Sequence, residues 1–148
     1  MKVLLVEEGP LKTSADFRDM QEARAYRDLY QGGGPGKATS DGAITILAAP
    51  GHTDGHAIFR IKSDGQSLLH VSDLAHNHVL MLHDPSWFID FDHNPEVAIA
   101  TRKKVFAELS VTKERAYGFH LPWPGIGVVV PNGRKGYQWI PSSHRWDF

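Results

Sequence analysis

Residues 50–56 read Pro50-Gly51-His52-Thr53-Asp54-Gly55-His56 and follow directly on the apolar run of residues 43–49. That run has strand character. Glycines on both sides of the turn let the backbone reverse sharply and leave His52 at the strand's C-terminal edge with nothing bulky before its ring. Two histidines four apart in such a turn are candidate ligands; the competing possibility is an ordinary turn with solvated histidines. Two further strand ends repeat the arrangement. Residues 67–71 lead into Ser72-Asp73-Leu74, where Asp73 either bridges two cations through its separate oxygens or caps a helical turn starting at Leu74. Residues 116–119 lead into His120-Leu121-Pro122-Trp123-Pro124-Gly125, where His120 is either a third ligand or a core histidine bonded to backbone groups. Histidine, aspartate and histidine at successive strand ends would converge on one edge of a sheet, where α/β sites usually form.

Around these three points the chain reads as alternating elements. Residues 1–8 have the pattern of a short buried strand, and residues 14–30 carry Phe17, Met20, Ala23, Tyr26 and Tyr30 at helical spacing. The run Gly32-Gly33-Gly34-Pro35-Gly36 ends that helix as a loop inside one domain. Residues 57–61 and 67–71 flank Ser63-Asp64-Gly65 as a hairpin, so the sheet is at least partly antiparallel. The stretch 74–94 is irregular and rich in His, Asp and aromatic residues, as functional segments often are. Asn94-Pro95-Glu96 then opens a second helix, with Asn94 as cap and Ala98, Val105 and Leu109 facing inward. Strands come next at 126–130 and 137–140, joined through Pro131-Asn132-Gly133. The order predicts an α/β fold of mixed sheet covered by helices.

Composition narrows the chemistry. A chain of 148 residues fits one domain that buries roughly 68–70% of its unfolded surface. Sixteen Lys and Arg against seventeen Asp and Glu give a net charge of −1, without the basic patch of a nucleic-acid binder. No apolar run has the length of a membrane span. The absence of cysteine excludes disulfides, thiolate metal sites and a cysteine nucleophile. Any metal therefore sits on His, Asp or Glu, and seven of the nine histidines lie between His52 and His93. The four-residue apolar start is too short for a secretion signal, so a cytoplasmic location is expected.

The ordered set of the His52 turn, Ser72-Asp73-Leu74-Ala75-His76 and the His120 loop through Gly127 resembles the later motifs of the metallo-β-lactamase-fold hydrolases, in particular methyl parathion hydrolase and the quorum-quenching lactonases. The likeness runs from about residue 43 to residue 141. It implies an αββα sandwich and hydrolysis of an ester, lactone or phosphotriester bond by a metal-activated water. By the resemblance, His52 completes one zinc ion's histidine set, Asp73 bridges two ions and His120 binds the second, with Asp73 and His120 as the catalytic pair. His56 and His76 would orient their neighbours, and Trp87, Phe88, Phe91 and Trp123 would line an apolar substrate pocket or simply pack as core or edge aromatics. No role carries over to His78, His83 or His93.

The family's first motif, His-x-His-x-Asp-His, does not occur in the sequence. Residues 1–148 are therefore expected to form a single partial domain, the C-terminal portion of the fold without its N-terminal sheet region. Three ligands over two ions leave about two per ion, short of the three or four of a stable zinc site. Partial or no zinc occupancy and no activity are expected of the chain alone. An uncovered apolar sheet face would drive association, so a homo-oligomer or a missing N-terminal segment is expected. The alternative is a non-catalytic, oligomeric interaction module that keeps the fold but not the site.

Overall fold

The computed structural model describes residues 36–37, 41–133 and 135–143. The strand expected at 1–8, the helix expected at 14–30, most of the glycine run and His144 lie outside the described residues. Seven strands form one mixed sheet in chain order: β1 (Gly36–Lys37), β2 (Ile44–Ala48), β3 (Ala57–Ser63), β4 (Gln66–His70), β5 (Arg115–Tyr117), β6 (Ile126–Pro131) and β7 (Tyr137–Pro141). Every neighbouring pair is antiparallel except β4 and β5, which run parallel. A parallel pair needs a long crossover. Here it spans residues 71–114 and contains helix α1 (Pro95–Thr112).

Local chemistry sets the element boundaries. The β3–β4 hairpin turns on Asp64 and Gly65, both at positive φ (49° and 72°), which suits the right-handed twist of the two strands. Asn94 caps α1 by accepting the Val97 amide at 3.2 Å, and Pro95 opens the helix where its missing N–H costs nothing. Within the stretch expected to be irregular, Ser72–Leu74 forms a single 3-10 turn and His78–Leu82 one turn of π-helix. The second of these is capped by the Asn77 side chain, which accepts the Val79 and Leu80 amides. Such one-turn elements bury too few apolar positions to leave a periodic pattern.

Register sorts the sheet into two faces. Ile58, Leu69, Ala116, Val129 and Trp139 are buried on the face that α1 covers with Val105, Phe106 and Leu109. Arg60 on the same face reaches Glu108 at 2.7 Å and Glu114 at 2.9 Å, tying the end of α1 to the sheet. The opposite face carries Phe59, His70, Tyr117 and Ile126 in register across four strands, with Ile61, Leu68, Val128 and Ile140 beside them. Ile61 and Ile140 remain exposed there. Among the described residues no helix is long and apolar enough to cross a membrane.

Candidate metal centre

Strand direction brings the three strand ends together. β2 and β4 both run antiparallel to β3, and β5 runs parallel to β4. The C-terminal ends of β2, β4 and β5 therefore share one edge of the sheet, and the residues after them meet there. Asp73 lies at the middle. Its Oδ1 accepts from His120 Nε2 at 2.8 Å and lies 3.4 Å from His76 Nε2, while its Oδ2 lies 3.9 Å from His52 Nε2. The His76 ring neighbours both other rings, with centroids 4.9 Å from His52 and 4.6 Å from His120.

Asp73 does not serve as a cap. Val71 occupies the cap position of the 3-10 turn and no side chain caps it, while Asp73 sits inside the turn at φ −91°, ψ 29°. Ser72 before it adopts the left-handed conformation at φ 48°, uncommon for a residue with a side chain and frequent where a site dictates the backbone. His56 holds the turn in place. Its Nδ1–H donates to the Ala49 carbonyl at 2.6 Å, and its Nε2 accepts the Asp73 amide at 3.0 Å. Only a neutral ring can do both, and burial lowers the His56 pKa in keeping with that state.

His76 is the most perturbed of the group. Burial pushes its pKa down to about 4, more than the Asp73 carboxylate raises it. The ring is thus neutral near pH 7 and keeps a lone pair. Its Nδ1 is buried without a hydrogen-bond partner, a costly state for a polar atom. One donor atom each from His52, Asp73 and His76 lie within 4.8 Å of one another. Imidazole nitrogens and a carboxylate are the donors zinc takes when cysteine is absent. The residues present fit a divalent cation.

Behind this group, a cavity of about 10 Å³ between His52, His56, Asp73, Thr101 and Arg102 holds one water at most. On the other side of the group the His120 side chain is 36% exposed.

Among solved structures, the chain is similar to AidC, a dizinc quorum-quenching lactonase in complex with a product, at 37% identity and a TM-score of 0.68 over 72% of this chain and 36% of that one. It is also similar to AbOPH, a hydrolase in the β-lactamase superfamily, at 33% identity and a TM-score of 0.67 over 70% of this chain and 35% of that one. The chain carries a portion of the metallo-β-lactamase fold. A probable metal-dependent hydrolase from Staphylococcus aureus, 17% identical with a TM-score of 0.57 over 75% of this chain and 39% of that one, shares the same fold. The chain spans about a third of the length of these metallo-β-lactamase-fold relatives. No protein-family model matches the sequence, and no curated protein does.

Set against the expected residues, this portion of the metallo-β-lactamase fold brings His52, Asp73, His120 and His56 together. It also moves His76 closer than the sequence suggests: His76 joins His52 and Asp73 in a trio whose donor atoms lie within 4.8 Å of one another. Trp87, Phe88, Phe91 and Trp123 stand exposed, between 52% and 79%. His93 pairs with Asp54 at 3.1 Å on the surface, and His83 is exposed. Two residues escaped the sequence reading. Asp92 is buried and accepts from His52 Nδ1 at 3.1 Å, and Arg102 lies 1% exposed behind it. Arg102 was detectable, because it interrupts the inward stripe Ala98, Val105, Leu109 of α1 with a charge that burial requires to be paired.

Proposed function

We propose that the chain supplies one side of a zinc site for hydrolysis of an ester, lactone or phosphotriester bond, with His52, Asp73, His76 and His120 as its ligands. The observation that carries this is the Asp73 carboxylate, which turns one oxygen toward His120 and His76 and the other toward His52. That placement suits a carboxylate shared between two cations. A bound divalent cation polarises the scissile bond and lowers the pKa of water. The chain's own part is positional. Burial keeps His76 neutral down to about pH 4, His56 fixes the Asp73 backbone, and Asp73 Oδ1 holds His120 Nε2 at 2.8 Å beside it. The exposed aromatic rings of Trp87, Phe88, Phe91 and Trp123 offer apolar contact for a small-molecule substrate.

Four ligands still fall short of two complete zinc shells, and the sequence contains no His-x-His-x-Asp-His. The chain alone is accordingly a weak zinc binder without activity, and the single partial domain works with further ligands from an upstream segment or another subunit. Elemental analysis after dialysis against metal-free buffer, together with melting curves with and without zinc, tests the reading. Expected are substoichiometric retained zinc and a melting temperature that rises with added zinc and returns with chelator. No shift at any zinc concentration would overturn it. Any hydrolysis of a chromogenic aryl ester or lactone is expected to vanish with chelator and in His120→Ala.

The second reading, a non-catalytic oligomeric module, draws on the apolar sheet face of Phe59, Ile61, Leu68, Val128 and Ile140. It predicts self-association by light scattering with no response to zinc.

A further inference from the structure

We propose that Asp92, fixed from behind by Arg102, is a positioning residue that sets the tautomer and the aim of the His52 ring. The inference deepens the metal-site reading and rests on it.

The His52 turn and the start of α1 lie 40 residues apart in sequence, yet they are bonded at every level. The His93 amide donates to the His52 carbonyl and the Asn94 amide to the Gly51 carbonyl, both at 2.9 Å. The Thr101 hydroxyl donates to the Pro50 carbonyl at 2.8 Å. These bonds fix the backbone of the turn and leave one freedom, rotation and tautomerism of the His52 ring. Asp92 removes it. Its side chain is fully buried, and its Oδ1 lies 3.1 Å from His52 Nδ1. A carboxylate only accepts, so the proton sits on Nδ1 and the lone pair on Nε2. Nε2 is the atom that faces Asp73 Oδ2 at 3.9 Å.

Arg102 explains why Asp92 stays in place. Its Nη2 lies 3.5 Å from Asp92 Oδ2, its Nε donates to the Leu74 carbonyl at 2.7 Å, and its Nη1 donates to the carbonyls of Pro85 (3.2 Å) and Trp87. One guanidinium thus ties the segment carrying Asp73, the aromatic loop and the residue behind His52 to a single point on α1. A buried ion pair of this kind is poor at raising stability. Its useful product is orientation, since a carboxylate behind a ligand histidine fixes the ring and raises its basicity.

Asp92→Asn separates orientation from support of the fold. The amide keeps the shape but can donate to His52 Nδ1, and the ring proton then moves to Nε2, the nitrogen needed for zinc. The test is long-range ¹H–¹⁵N correlation spectra of the metal-free 148-residue chain with labelled histidine, at a pH well above the ordinary histidine range. His52 is assigned by its loss in His52→Gln. Wild type is expected to show the Nδ1–H form, and Asp92→Asn a majority of Nε2–H together with zinc affinity weakened about tenfold or more. An Nε2–H form in wild type, or an unchanged tautomer in Asp92→Asn, would overturn the proposal. If Asp92→Asn does not fold, the wild-type tautomer decides alone, Nδ1–H supporting and Nε2–H refuting. A zinc titration separates the two readings: no zinc response in wild type with the tautomer shift intact sinks the metal site and supports the orientation by Asp92. Zinc bound equally by both forms, with no tautomer change, sinks the positioning role alone.

Discussion

The His56 ring links the end of β2 to the centre of the site: it donates to the Ala49 carbonyl at 2.6 Å and accepts the Asp73 amide at 3.0 Å. Removing it in His56→Ala orphans both backbone groups in a buried place and leaves a cavity. A loss of about 2–4 kcal/mol is expected, read from the urea midpoint at constant m-value. The zinc-induced rise in melting temperature should shrink as well, because Asp73 loses its anchor.

His76 shares with His52 and Asp73 a trio of donor atoms within 4.8 Å of one another. His76→Ala is therefore expected to weaken zinc binding by about tenfold or more, which corresponds to about 1.4 kcal/mol or more. His78→Ala, two residues on, serves as the control and should leave binding unchanged. Calorimetric titration of both variants with zinc checks the difference, and equal effects would remove His76 from the ligand set.

The metal-free chain should lose stability in mild acid. Burial depresses the pKa of His76 from 6.5 to about 4, and burial also lowers those of His56 and His70. Between these limits the unfolded chain binds more protons than the folded one, so stability falls as pH falls. The histidine contribution is complete above 6.5 and lost progressively as pH drops toward 4. Urea midpoints across that window should decline in wild type and decline less in His76→Asn.

Gly51 and Gly65 both have positive φ, 130° and 72°, but only Gly51 faces a neighbour. A Cβ there would lie 2.2 Å from the Ala98 backbone nitrogen, whereas nothing lies within 4 Å of one at Gly65. Gly65→Ala should cost about 1 kcal/mol from backbone strain alone. Gly51→Ala adds a collision with α1 and should cost about 3 kcal/mol or more. Thermal melts of the two variants distinguish the terms. Similar losses would mean that α1 yields at Ala98 without cost.

Much of the fold was legible because it depends on local pattern. Alternating apolar residues and the Asp64-Gly65 turn mark β3 and β4, and Asn94-Pro95 marks the start of α1 to the residue. Convergence of His52, Asp73 and His120 could be anticipated from their places at strand ends, since strands running the same way deliver their C-terminal residues to one sheet edge. His76 was harder to place. It lies in a stretch without periodicity, and its approach to Asp73 depends on a 3-10 turn only three residues long.

The sequence by itself determined the strand and helix pattern, the available donors and the order in which they appear, because each depends on spacing and residue type over a few positions. Only the tertiary structure decided that His76 neighbours both His52 and His120, that Asp73 is held by His56 instead of capping a turn, and that Asp92 and Arg102 lie behind His52. Those relationships join residues at least 10 positions apart. They depend on burial and on the direction each chain segment takes when the crossover packs against the sheet, and neither is encoded in any short window.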